Sequence, residues 1–282
     1  MASTAILTVA ALLIQAALSS PQAPDANARE GTQPDPLQTS EALIAVTIAQ
    51  GAARDFSPIP LDPDGATTHG VVFDQFRLIA RTARAAAAAR TRLDAAALPG
   101  AIVRPRTVVL AYPLFCDGRS TSPGAIELVG AQGRSITREG DYTRDAAIGA
   151  LLPGVQAPVA SLAATFPIQT LRPMDTVRIT YSNAACTGGP SELAFPVEFT
   201  PARTLQAPMP QLPPGLAPGE APVRLQALVD LEGRLQRAVY VSGPSHLTQA
   251  AVEAIQRWRA EPPRINGAPT VRAVLVHVSF RP

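Results

Sequence analysis

Residues 223–241 read VRLQALVDLEGRLQRAVYV, 242–263 read SGPSHLTQAAVEAIQRWRAEPP, and 265–280 read INGAPTVRAVLVHVSF. The first stretch is two alternating runs around Asp230-Leu231-Glu232-Gly233, a hairpin signal. Val223, Leu225, Ala227 and Val229 share one face of the first run, and Leu235, Val239 and Val241 one face of the second. The second stretch predicts a helix with Thr248 as N-cap and Pro262-Pro263 as its stop. Leu247, Ala251, Ala254, Ile255 and Trp258 fall on one stripe at helical spacing, facing the sheet. A turn at Asn266-Gly267 leads into a last strand with Val274, Val276, Val278 and Phe280 on one face. The predicted order is β-β-α-β, with Trp258, Leu247, Ile255 and Phe280 in its core.

Working outward, residues 201–222 (PARTLQAPMPQLPPGLAPGEAP) read as a stiff proline-rich linker that holds two domains apart. From Arg106 to about Phe199, runs such as TVVLAYPLF, AIELVG, DTVRITYS and ELAFPVEF alternate with Gly, Pro, Ser and Asn. They predict an antiparallel, sandwich-like sheet with a short helix in YTRDAAIGALL. Residues 73–97 lack Gly and Pro and are rich in alanine, which predicts one long helix. The fold class is therefore α+β: a mostly antiparallel β domain over 41–200, its family unread, then the β-β-α-β domain over 223–282.

The N-terminal twenty residues carry an apolar run from Ala5 to Leu18. At about fourteen residues it matches a signal-peptide core and falls short of the roughly twenty needed to span a bilayer. Ala17-Leu18-Ser19 supplies the small-x-small cleavage pattern, so 1–19 is read as a signal peptide and 20–40 as a disordered spacer. Retention of the run as an inner-membrane anchor is the alternative. Cys116 and Cys186, the two cysteines, each follow a strand-like run; export would let them pair as a disulfide, and two unpaired thiols are the other reading.

Composition excludes several functions. A net charge of +2 gives no reason to expect nucleic acid or an anionic membrane as partner. The sequence contains no lysine, which rules out Schiff-base lysines, a P-loop and a Ser-Lys pair. His69, His246 and His277 are scattered with no metal-ligand spacing, and Ser245-His246 lacks a nucleophile elbow. Asp62-Pro63-Asp64-Gly65 lacks the later ligands of a calcium loop and reads as a turn. Arg77, Arg81 and Arg84 form a helical stripe that reads as a solvated face. No catalytic set, cofactor motif, metal site or small-molecule site emerges, and the chain is read as non-enzymatic.

The ordered series Asp230-x-x-Gly233, Ser242-Gly243, Leu247, Ala250-Ala251, Ala254, Trp258-Arg259, Pro262, Asn266-Gly267-x-Pro269 and a terminal strand ending in Phe280 resembles the C-terminal domain of the TonB energy-transducer family. The resemblance covers about residues 223–280, roughly a quarter of the chain. Departures are Val241 before Ser242, Thr248 in place of an Asp cap, Ala260 after Trp258-Arg259, and a linker without Tyr-Pro. The resemblance implies a periplasmic domain that binds a protein partner such as a TonB-dependent outer-membrane transporter. An extended segment of that partner would pair with the last strand, through Thr270, Val271, Arg272, Ala273, Val274 and Leu275. The opposing reading is an edge kept silent by an exposed Arg272 and a short tail. The function expected is an exported periplasmic interaction protein; the alternative is an inner-membrane-anchored energy transducer for transport across the outer membrane.

Overall fold

The computed structural model describes residues 41–54, 56–98, 104, 106–116, 118–152, 154–168, 171–181, 191–217 and 221–281. The expected signal peptide, the spacer and Cys186, hence the Cys116–Cys186 pairing, lie outside these residues.

The first half runs α1 (Glu41–Ala53), β1 (Ile59–Pro60), β2 (Gly70–Phe73), α2 (Gln75–Ala88), β3 (Thr107–Ala111), β4 (Leu114–Cys116), β5 (Arg119–Thr121) and β6 (Pro123–Val129). Next come β7 (Ser135–Ile136), β8 (Glu139–Arg144), α3 (Ala146–Leu151), β9 (Leu162–Phe166), β10 (Thr176–Tyr181) and β11 (Glu192–Pro196). Then follow β12 (Phe199–Thr200), β13 (Arg203–Gln206), β14 (Val223–Val229), β15 (Leu235–Ser242) and α4 (Thr248–Ile255). The chain closes with β16 (Arg259–Glu261), β17 (Arg264–Ile265), β18 (Ala268–Pro269) and β19 (Arg272–Val278). The fold is α+β with mostly antiparallel strands.

Two antiparallel sheets, ordered β1-β2-β3-β9-β8 and β11-β10-β6-β7, face each other. In β10, Val177, Ile179 and Tyr181 point inward while Arg178 and Thr180 point out, the alternation expected of a half-buried strand. They meet Val72, Val109, Leu162 and Phe166 of the first sheet in one apolar core. β3 breaks the alternation because all five of its residues are buried. Its far face lies under α2 and α3, where Val108 and Leu110 meet Leu78, Ile148 and Leu152.

The helix expected over 73–97 is two pieces, α2 and a 3-10 turn at Ala95–Ala97. Asp74 caps α2 by accepting from the Arg77 N–H at 2.9 Å. Arg90 takes a left-handed φ of 56° and ends it. The chain then folds back, so that Leu93 and Leu98 pack on Ile44 of α1 and Ile79 of α2. Alanine's propensity yields to burial of these two leucines.

In the C-terminal unit β14 lies between β15 and β19, all antiparallel, and α4 covers one face. Val223, Leu225, Ala227 and Val229 are fully buried against Leu247, Ala251, Ile255 and Trp258. Four expectations change here. Val239 and Val241 are 49% and 50% exposed, on neither side of the core. Leu228 pairs with Gln236 but Gln226 with Val239, so β15 gains a residue at Arg237, whose φ is 51°. This bulge moves Ala238 toward the core and turns Val239 out. Thr248 is not the cap: it is already helical, after a 3-10 turn at Ser245–Leu247. Pro262-Pro263 do not stop the helix either, for α4 ends at Ile255 and β16 intervenes. Trp258 therefore enters the core from the loop after α4, not from a helical stripe.

The linker segment lies along the C-terminal unit instead of spacing it away. β13 pairs with β16, and β12 with β17. Leu212 N–H donates to Arg281 O at 2.7 Å, Arg281 N–H to Pro210 O at 2.8 Å, and Trp258 Nε1 to Pro208 O at 3.2 Å. Proline lacks a donor but keeps its carbonyl, and these carbonyls become acceptors for the neighbouring unit.

Among the described residues no helix is long and apolar enough to cross a membrane.

Candidate functional site: the open edge of the last strand

Hairpin chemistry sets which backbone groups of β19 are free. Asp230 N–H donates to Arg234 O at 3.0 Å, and Gly233 N–H to Asp230 O at 3.0 Å, a three-residue turn. The Asp230 carboxylate fixes it by accepting from Glu232 and Arg234 N–H at 2.9 and 2.8 Å and from the Gln236 side chain. Asp230 thus directs its backbone at β15. By the alternation of antiparallel ladders, Val223, Leu225, Ala227 and Val229 direct theirs at β19. Their partners are Val278, Val276, Val274 and Arg272. The backbone groups of Ala273, Leu275 and His277 consequently face away from the sheet, and among the described residues no strand pairs with that edge.

The edge is bounded at both ends. At its start, Thr270 N–H donates to Pro263 O at 2.9 Å, and Arg77 Nη2 donates to Pro269 O at 2.8 Å. Past its end, the backbone of Arg281 pairs at Pro210 and Leu212 with the linker segment, which acts here as a strap. An open window remains between them, centred on Leu275, which is 42% exposed. Across the outer face, Gln226 stands between Val239 on one side and Leu275 on the other.

The residues expected to bind a partner are not equally accessible. Thr270, Val271, Arg272 and Ala273 are buried, Val274 is half-buried, and Leu275 is exposed. Val271 and Ala273 lie with Leu228 and Leu231 against Leu43 and Val46 of α1 and Phe76 of α2. Arg272 is not an exposed charge: its guanidinium sits 4.4 Å from the Phe199 ring centre. Its positive charge also acts on buried Asp175, whose pKa is raised mainly by desolvation and held back by the Arg172 N–H, Arg172 and Arg272. Phe280 packs at the margin of the core that holds Trp258, Leu247 and Ile255.

Three side chains, Arg77, Asn266 and Thr270, attach this unit to the first one through contacts absent from the sequence reading. Arg77 is 2% exposed, not solvated; it pairs with Asp74 at 3.1 Å and donates to Ser57 O at 3.0 Å. Of the other two arginines in that stripe, Arg84 is exposed and Arg81 stands 5.7 Å from the Phe73 ring centre. Asn266 Oδ1 accepts from Glu198 N–H at 2.8 Å, and its Nδ2 donates to Pro60 O at 2.9 Å. Thr270 Oγ1 donates to Asp74 Oδ2 at 3.3 Å. The available signal was Asn266-Gly267: Asn is a turn residue that also carries a donor and an acceptor.

The three histidines are far from one another in the sequence. His69 Nδ1 contacts Asp62, which also accepts from Thr68 and His69 N–H at 3.1 Å, so Asp62 closes a turn. Nearby Tyr181 has its pKa pushed up to about 12, first by burial and then by the charge of Asp62. His246 contacts Ala217 O at 3.0 Å, and His277 is exposed on β19.

No protein-family model matches this chain, and no curated protein matches it. The geometry of the edge and its neighbours therefore carries the functional reading.

Proposed function

We propose that this is an exported, periplasmic interaction protein that acts by binding and not by catalysis, with a TonB-like C-terminal domain receiving an extended segment of an envelope partner on β19. The observation that carries the reading is the unbroken seven-pair register of β19 on β14, which leaves three residues' worth of backbone donors and acceptors facing outward. Strand addition satisfies such groups, with backbone bonds supplying affinity and alternate side chains selectivity. The opposite edge suits this poorly: β15 carries two register shifts and a left-handed residue, devices that discourage pairing. Within the window, Leu275 and His277 are the side chains that meet the partner.

The order of elements and the resemblance over residues 223–280 point to an N-terminal segment of a TonB-dependent outer-membrane transporter as partner. The test is calorimetric titration of the full chain with synthetic peptides of such segments, comparing wild type with Leu275→Pro. Leu275 is exposed and its N–H faces the window, so the substitution breaks no bond to β14 while it removes a donor the peptide needs. Binding lost in the folded variant supports strand addition; unchanged binding rejects it.

A further inference from the structure

We propose that the groove between β15 and α4 is a second protein-binding site, receiving a short acidic segment of a partner with an aliphatic side chain on its floor. The groove has a volume of about 370 Å³ and is lined by Leu235, Ala238, Val252 and Ile255, with Arg234, Arg237, Gln236 and Gln256 around them. The floor is apolar because the bulge at Arg237 turns Ala238 toward α4. That same bulge holds the Arg237 side chain at the rim, where it and Arg234 are exposed.

Charge selects the occupant. Among the described residues neither Arg234 nor Arg237 has a carboxylate partner. Among the described residues the acids nearest in sequence are otherwise engaged. Asp230 accepts from the hairpin turn and Gln236, Glu232 pairs with Arg54 at 2.7 Å, Glu253 accepts from Gln249 at 2.9 Å, and Glu261 pairs with Arg203 at 2.9 Å. Two uncompensated guanidiniums beside an apolar floor match a segment that alternates carboxylate and aliphatic side chains. Gln236 is held by Asp230, so that one wall residue is already ordered before a segment binds.

The probe is a fluorescein-labelled hexapeptide of alternating glutamate and valine, read by fluorescence polarisation against full-length protein. A lysine–valine hexapeptide is the control. The glutamate peptide is expected to bind at least about tenfold more tightly than the lysine peptide and to weaken as salt rises. Arg237→Glu and Arg234→Glu, both at exposed positions, should reverse that preference with the melting temperature unchanged. Leu275→Pro should leave binding intact, which separates this groove from the β19 edge. Three outcomes overturn the proposal: equal binding of both peptides, a preference untouched by charge reversal, or loss of binding in Leu275→Pro. Absence of binding by the glutamate peptide at about 1 mM, where the interaction would be worth only some 4 kcal/mol, overturns it as well.

Discussion

Arg77 Nη2 donates to the Pro269 carbonyl at 2.8 Å, joining α2 to the turn before β19 across 192 residues of sequence. The same guanidinium pairs with Asp74 at 3.1 Å, and Asp74 in turn accepts from Thr270 Oγ1 at 3.3 Å. A buried charge is tolerable only when paired and hydrogen-bonded, and here the hydrogen bonds come from the opposite end of the chain. The C-terminal unit is therefore bonded to the first one, and the turn before its last strand is tied to the start of α2.

Removing that guanidinium should be severe. Arg77→Leu leaves the Asp74 carboxylate buried without its counter-ion, which costs about 3–5 kcal/mol. Urea denaturation should show a lower midpoint. Arg84→Leu, at an exposed position of the same helix, should stay within about 0.5 kcal/mol of wild type. Equal midpoints for Arg77→Leu and Arg84→Leu would contradict the docking role.

Gly233 has a positive φ of 73°, and a Cβ placed there would sit 1.7 Å from the Ala260 carbonyl oxygen. That carbonyl's residue donates its own N–H to Gly233 O at 2.8 Å, so β16 and the hairpin turn cannot separate without breaking a bond. Gly233→Ala combines left-handed strain with a backbone clash and should cost at least about 2 kcal/mol. Gly118→Ala, at φ 74° with open space around it, should show the strain alone and lose less. Thermal melts of the two variants side by side check the difference.

How much of this was readable beforehand depended on whether local pattern or tertiary contact decided each element. β14 and β19 were legible because one face of each packs under α4, which imposes a period of two on the sequence. β15 was legible as a strand but not as a face, since nothing local in Leu235–Ser242 announces a bulge at Arg237. The end of α4 was misread because Arg259–Glu261 pairs with Arg203–Gln206, a partner more than fifty positions upstream. Arg77 was misread for a similar reason: an arginine on an alanine-rich helix looks solvated until Pro269 and Ser57 arrive beside it. The open edge of β19 followed from element order, whereas the burial of Val271 and Ala273 under α1 did not.

Alkaline titration should resolve two classes of tyrosine. The chain has four, and Tyr112 and Tyr181 both have raised pKa values, in each case first through burial; Tyr181 reaches about 12. A phenol whose folded pKa lies above its unfolded value contributes stability that is complete below pH 10 and is lost as pH rises toward 12. Absorbance at ~295 nm should therefore show a late step, and that step should coincide with unfolding. In Tyr181→Phe the late amplitude should shrink. A full-amplitude late step in that variant would mean Tyr181 is not the group concerned.

Trp258 is the chain's one tryptophan, 8% exposed, seated among Leu235, Leu247, Ala251 and Ile255 and donating through Nε1 to Pro208 O. It therefore joins three things: the sheet, α4 and the strap from residues 201–222. Trp258→Ala removes the packed ring and the anchor of the strap together, and should cost about 3–5 kcal/mol. Trp258→Phe keeps most of the ring but leaves the Pro208 carbonyl without its donor, which should cost nearer 1 kcal/mol from that bond, with some further loss of packing. Because the strap also pairs with Arg281 beyond β19, its release should widen the open window of that edge. Backbone amide exchange at Leu212 and Arg281 should then accelerate in Trp258→Phe under conditions where β14 remains protected. If those two amides keep wild-type exchange rates, the strap is held by its own pairing and Trp258 contributes only to the core.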